Sequence, residues 1–141
     1  MDKKEFLESL LEVYCRLGCT KNGVGLIAIR FIPKGTDPFK NCDLFGDVLQ
    51  IPKAELDVFD APEEAKKMVR DFCALQNGIH YVPDYGIDAI PKSYFINHSA
   101  KPNMTTPDRG ETFLAARDIE AGEELTASYD DYHEAKHFIR K

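Results

Sequence analysis

The chain has 141 residues, 43% of them hydrophobic and 30% charged, with a formal net charge of −6. That length suits one domain with one core, and no run approaches the roughly 18 uninterrupted apolar residues that cross a bilayer. The acidic balance excludes general binding to a phosphate backbone, which needs clustered Lys and Arg, and fits a basic partner better. Met1–Glu5 leads into an amphipathic pattern rather than a secretory signal, so an intracellular location is expected, nucleus and cytoplasm both open. Cys15, Cys19, Cys42 and Cys73 lack paired spacing, so neither a metal site nor a disulfide framework is expected.

The first apolar stripe is Phe6, Leu7, Leu10, Leu11, Tyr14 and Leu17, recurring at helical intervals up to Gly18. With Asp2 and Glu5 spaced as a capping pair, it predicts an N-terminal helix over residues 1–18, packed on the domain. Branched residues from Val24 to Ile32 predict a strand entering the turn Pro33-Lys34-Gly35. Its pattern Ala28-x-Arg30-x-Ile32-x-x-Gly35 is echoed by Ala115-x-Arg117-x-Ile119-x-x-Gly122, so two matching hairpin-like units frame the domain. Between them, Asp60, Pro62 and Glu63 followed by Ala65, Met68, Val69, Phe72 and Leu75 predict an inserted helix over 61–77. Tyr81 to Ile90 mixes aromatic, Pro, Asp and Gly residues and reads as short strands and turns. The whole is a mainly β domain decorated by helices, an α+β fold.

Two segments carry the chemistry: Asn97-His98-Ser99-Ala100-Lys101-Pro102-Asn103, and Gly122-Glu123-Glu124-Leu125-Thr126-Ala127-Ser128-Tyr129. In this order, and preceded by Gly23-Val24-Gly25-Leu26-Ile27-Ala28, they resemble the SET-domain family of protein lysine methyltransferases. The resemblance covers roughly Gly23 to Tyr132. It makes 19–132 the SET domain, with 133–141 a short tail or helix. It implies short curled sheets whose C-terminal segment threads beneath a loop as a pseudoknot. It implies S-adenosylmethionine as cofactor, with Gly23, Val24 and Gly25 beside its methionine portion. Asn97 and His98 would hold adenosine and methionine largely through main-chain groups. Tyr129 would be the active-site tyrosine, touching cofactor and substrate.

The same resemblance implies direct displacement, lysine and cofactor entering a narrow channel from opposite faces. A free lysine has a pKa near 10.4, so the channel must lower it by desolvation and by the cofactor's positive sulfonium. The substrate would be a protein with its target lysine in a basic segment, histones among the candidates, with no direct nucleic-acid or membrane partner. Several positions depart from the family. Ala100 stands where many members carry a zinc-binding cysteine and the tail has none, so residues 132–138 are expected to form a closing helix, with Phe138 stacking on adenine. Tyr94 replaces an arginine facing the cofactor. Leu44 replaces a channel tyrosine beside Phe45, with Tyr132 lining the same channel. Leucine offers no hydroxyl to tether the amine, so more than one methyl group is expected on the product. A SET-like module that has lost catalysis and only binds a lysine-containing partner is the alternative, favoured by Tyr94 and Leu44 and opposed by Asn97, His98 and Tyr129. A cysteine hydrolase using Cys15 or Cys73 has no supporting signature.

Overall fold

The computed structural model describes residues 2–40, 42 and 48–132. Two glycine-containing strands, β1 (Cys15–Thr20) and β2 (Gly23–Ala28), form an antiparallel hairpin in register from Cys15 opposite Ala28 to Thr20 opposite Gly23. β2 also pairs with β9 (Glu124–Ala127), which runs parallel to the short β6 (Asn97–His98), so the order is β1-β2-β9-β6. A second sheet places β5 (Ile79–Pro83) between β3 (Val48–Pro52) and β4 (Ala74–Gln76). A third is the pair β7 (Met104–Thr105) and β8 (Leu114–Ala115). Among the described residues the α-helices are α1 (Lys3–Ser9), α2 (Lys53–Val58) and α3 (Glu63–Phe72). None is long and apolar enough to cross a membrane.

The two echoed patterns pair with each other. Ile32 and Ile119 exchange both backbone hydrogen bonds, at 2.8 and 2.9 Å. On either side Gly122 N donates to Ala28 O and Gly35 N to Ala115 O, both at 2.8 Å. Equivalent residues thus make equivalent bonds across a local two-fold. Gly35 and Gly122 take positive φ, 89° and 93°, as their places in the turn require. Ile32, Ile119, Leu26 and Leu125 are wholly buried at this crossing, which is the centre of the core.

The N-terminal helix is shorter than its periodicity predicts. Asp2 does cap it, accepting from Glu5 N at 2.8 Å, but the helix ends at Ser9, a 3-10 turn covers Leu10–Glu12, and Cys15 to Gly18 belong to β1. Ladder bonds to β2 override the helical spacing of Tyr14 and Leu17. Of the stripe only Tyr14 packs against the core; Phe6 is 55% and Leu11 74% exposed.

The insert differs too. The helix expected over 61–77 ends at Phe72, and Cys73 and Leu75, both fully buried, alternate inward on an extended chain into β4. The turn to β5 is Asn77-Gly78, with φ of 53° and 76°, the two-residue hairpin such a pair favours. Asp60 does not cap α3; Pro62 occupies the N-cap, with no side-chain bond. The family resemblance implies a strand over Asp43–Leu49; its described end, Val48 and Leu49, opens β3, which runs on to Pro52, while α2 has no counterpart in the sequence pattern. The expected threading, the closing helix over 132–138 and Phe138 fall largely on residues 133–141, and Leu44 and Phe45 on 43–47, outside the described residues.

Candidate active site

Tyr129 follows β9 and is buried against β6. Its O–H donates to Ile96 O at 2.6 Å, and its backbone N–H donates to His98 Nδ1 at 3.0 Å. Because Nδ1 accepts, the ring proton of a neutral His98 sits on Nε2. The tyrosine is therefore held at both ends by the strand that begins the Asn-His motif. Its ring meets His98 at a centroid distance of 5.3 Å on one side and Tyr132 at 5.6 Å on another. Burial, with a smaller contribution from the negative charge of Glu124, pushes the Tyr129 phenol above its usual pKa. Burial does the same to Tyr132. Both are neutral phenols at physiological pH.

A cavity of about 830 Å³ opens on this pair. Its wall includes Phe39, Phe113, Tyr94, Tyr129 and Tyr132. Gly23, Val24, Gly25, Asn97 and His98 are not part of that wall; Tyr129 is, and it also bonds to His98, so it joins the cavity to the Asn97–His98 strand. Tyr94, assigned from sequence to the cofactor, lies on the cavity side.

On the β2–β6 face, Asn97 is buried and its Nδ2 donates to Val24 O at 3.2 Å and to Glu124 Oε2 at 2.8 Å. These two side chains explain Gly25. A Cβ there would lie 2.6 Å from both Asn97 Nδ2 and Glu124 Oε2, so only glycine lets the amide and carboxylate meet across the strand. Gly23 has open space where a Cβ would point, and Val24 is half-exposed.

Two further residues went without a role in the sequence reading. The buried Asn103 carboxamide donates to Glu124 O at 2.8 Å and accepts from Thr126 N at 2.9 Å, acting as one more peptide group on the edge of β9 where β6 runs out. Glu124 reaches across to Asn97. Both lie inside the quoted motifs, so the signal was present. Their partners were not, because each bond joins positions more than twenty residues apart.

The SET-domain family profile matches residues 23–130, most of the chain. This chain belongs to the SET-domain family. Among solved structures, a Plasmodium falciparum protein proposed to be a histone methyltransferase superposes with a TM-score of 0.48 at 16% identity, covering 83% of this chain and 93% of that one. No curated protein sequence matches.

The SET domain's implied cofactor can be tested against the face formed by Gly23–Gly25, Asn97 and Glu124. That strip offers open space at Gly23, a half-exposed Val24 and, at Gly25, a carboxylate held by Asn97. The donor set fits the amino-acid end of S-adenosylmethionine, whose ammonium needs acceptors and whose close approach needs bare backbone.

Proposed function

We propose that this SET domain transfers methyl groups from S-adenosylmethionine to a lysine side chain of a protein substrate. The observation that carries the reading is the Tyr129 hydroxyl, bound to Ile96 O at 2.6 Å between the cavity and the Asn97–His98 strand. The cofactor, when bound, supplies an electrophilic methyl group on a sulfonium. Everything else is the work of the chain's own residues.

Because Tyr129 gives its proton to Ile96 O, its oxygen presents lone pairs in the remaining directions. It can accept an N–H of a neutral amine and make weak C–H···O contacts with a polarised methyl. Its raised pKa removes it as a phenolate base near neutrality. Deprotonation of the lysine falls instead to desolvation by aromatic walls such as Phe39, Phe113 and Tyr132. His98 fixes the backbone of Tyr129 through Nδ1, and Asn103 fixes the register of β9 behind it. Gly23, Val24, Gly25, Asn97 and His98 form the cofactor face. The substrate enters through the cavity, whose wall carries four carboxylates, Asp37, Asp71, Asp108 and Glu111, against two cations, Lys40 and Arg109, a balance that suits a lysine in a basic segment of an intracellular protein such as a histone.

Tyr129→Phe tests this directly. We expect methyl transfer from labelled cofactor to histones or lysate to fall by about 10²–10³, the scale for removing one oriented transition-state contact. Circular dichroism and binding of S-adenosylhomocysteine should be retained. Activity near that of the parent in a folded variant would remove Tyr129 from the chemistry. Cofactor binding by the parent without transfer to any protein would make the chain a binding module.

A further inference from the structure

We propose that Glu124 is the counter-charge for the amino group on the methionine portion of S-adenosylmethionine, an inference that rests on the methyltransferase reading above. Glu124 is half-buried and comes from β9, the central neighbour of β2 and β6. Its carboxylate accepts from Asn97 Nδ2 at 2.8 Å and from Asn22 Nδ2 at 3.4 Å, both neutral amides. Several other carboxylates have a cation: Glu123 meets Arg117 at 3.0 Å, Asp71 meets Lys67 at 2.8 Å, and Asp57 and Glu63 share Arg70. Among the described residues no cationic side chain forms an ion pair with Glu124. A carboxylate drawn partly out of water needs compensation that neutral amides supply only in part, and an ammonium completes it.

Its position selects which ammonium. Oε2 lies 2.6 Å from the point where a Cβ of Gly25 would stand, so the carboxylate is level with the Gly23–Gly25 strip. Asn97 holds one oxygen and thereby orients the group. β9 leads from Glu124 to Tyr129, whose backbone N–H donates to His98 Nδ1, one residue beyond Asn97 on β6. A ligand lying along the strip with its far end at Tyr129 would bring its amino-acid end to Glu124. An α-amine has a free pKa of about 7.7–8.0, so it is a cation at neutral pH and a good partner for a fixed carboxylate. The cofactor's other cation, the sulfonium, belongs at the Tyr129 end.

The test compares three ligands by calorimetry at pH 7: S-adenosylmethionine, S-adenosylhomocysteine, and the desamino analogue of S-adenosylhomocysteine. The parent should bind S-adenosylhomocysteine about ten- to a hundredfold tighter than the desamino analogue, the range for a hydrogen bond to a charged group. Glu124→Gln keeps an oxygen for Asn97 and removes the charge, so that preference should shrink to within about threefold while the desamino analogue binds as before. The ratio of S-adenosylmethionine to S-adenosylhomocysteine affinity should not change. Equal weakening of all three ligands would make Glu124 a structural residue and overturn the proposal. So would an unchanged amine preference in the variant, or a change confined to the sulfonium ratio. If the parent binds S-adenosylhomocysteine without preferring its amine, Glu124 loses this role and the methyltransferase reading stands. If the parent binds neither natural ligand, the reading itself falls.

Discussion

The crossing of residues 28–35 with 115–122 and the insert from β3 to β5 are held by different forces. At the crossing, Ile32 and Ile119 are wholly buried, and four backbone hydrogen bonds join the two segments at Ala28, Ile32 and Gly35 on one and Ala115, Ile119 and Gly122 on the other. In the insert, α2 contributes no buried residue and α3 only Lys66, whose Nζ donates to Asp57 O at 3.2 Å. Arg70 of α3 ties the two helices together by reaching Asp57 of α2 at 3.1 Å, and meets Glu63 within its own helix at 3.2 Å. One region is a dry core under the site; the other is a partly solvated platform attached by the β4–β5 hairpin and surface charge. The chemistry stands on the first. The second contributes residues to the cavity wall, where a substrate would be read.

The largest effect that separates them is on stability. Ile119→Ala should cost about 2–5 kcal/mol, the range for truncating a fully buried aliphatic side chain that leaves a cavity. Val58→Ala, at a position 83% exposed, should change stability by less than about 0.5 kcal/mol. Urea denaturation with unchanged slopes measures both. Similar costs at the two positions would erase the distinction between core and platform.

A second separation is by alkaline pH. Tyr129 and Tyr132 belong to the core, and burial raises both phenols above the ordinary pKa of about 10. Above that value the unfolded chain has lost protons that the folded chain keeps. Stability is therefore fully present below about pH 10 and declines as pH rises beyond it. Urea midpoints at rising alkaline pH should fall for the parent and fall less steeply for Tyr132→Phe. Identical slopes would mean that Tyr132 ionises as freely in the fold as out of it.

What could be read from sequence follows the same division. The Asn97–Ser99 and Glu124–Tyr129 segments and the Asp2 cap are legible because each is a local pattern with a fixed residue type. The echoed Ala-x-Arg-x-Ile-x-x-Gly patterns were visible as units, but their pairing across the domain is a tertiary fact. In the insert, the apolar residues after Phe72 fit a helical period as well as an extended one. The hairpin signal Asn77-Gly78 was the correct guide and lost to the helix pattern. Gly25 was assigned to cofactor approach, yet the atoms that exclude its Cβ are those of Asn97 and Glu124, which only folding brings together.

The smallest expected effect concerns the stripe at the N-terminus, whose helical period suggested a face packed on the core. Phe6, Leu7, Leu10 and Leu11 are all more than half exposed, and α1 has no buried residue. Periodicity records a face able to bury itself and does not say that anything covers it. The segment touches the domain through polar groups: Arg30 Nη1 donates to Leu11 O at 2.7 Å, and Lys40 meets Glu12 at 2.9 Å. The first bond uses the Leu11 carbonyl, which survives any side-chain change there. Leu11→Gln, 74% exposed in the parent, should therefore shift stability by no more than about 0.5 kcal/mol in either direction. A loss above about 1 kcal/mol in dilute solution would mean that the leucine side chain is packed after all, and that the N-terminal segment belongs with the crossing rather than outside it.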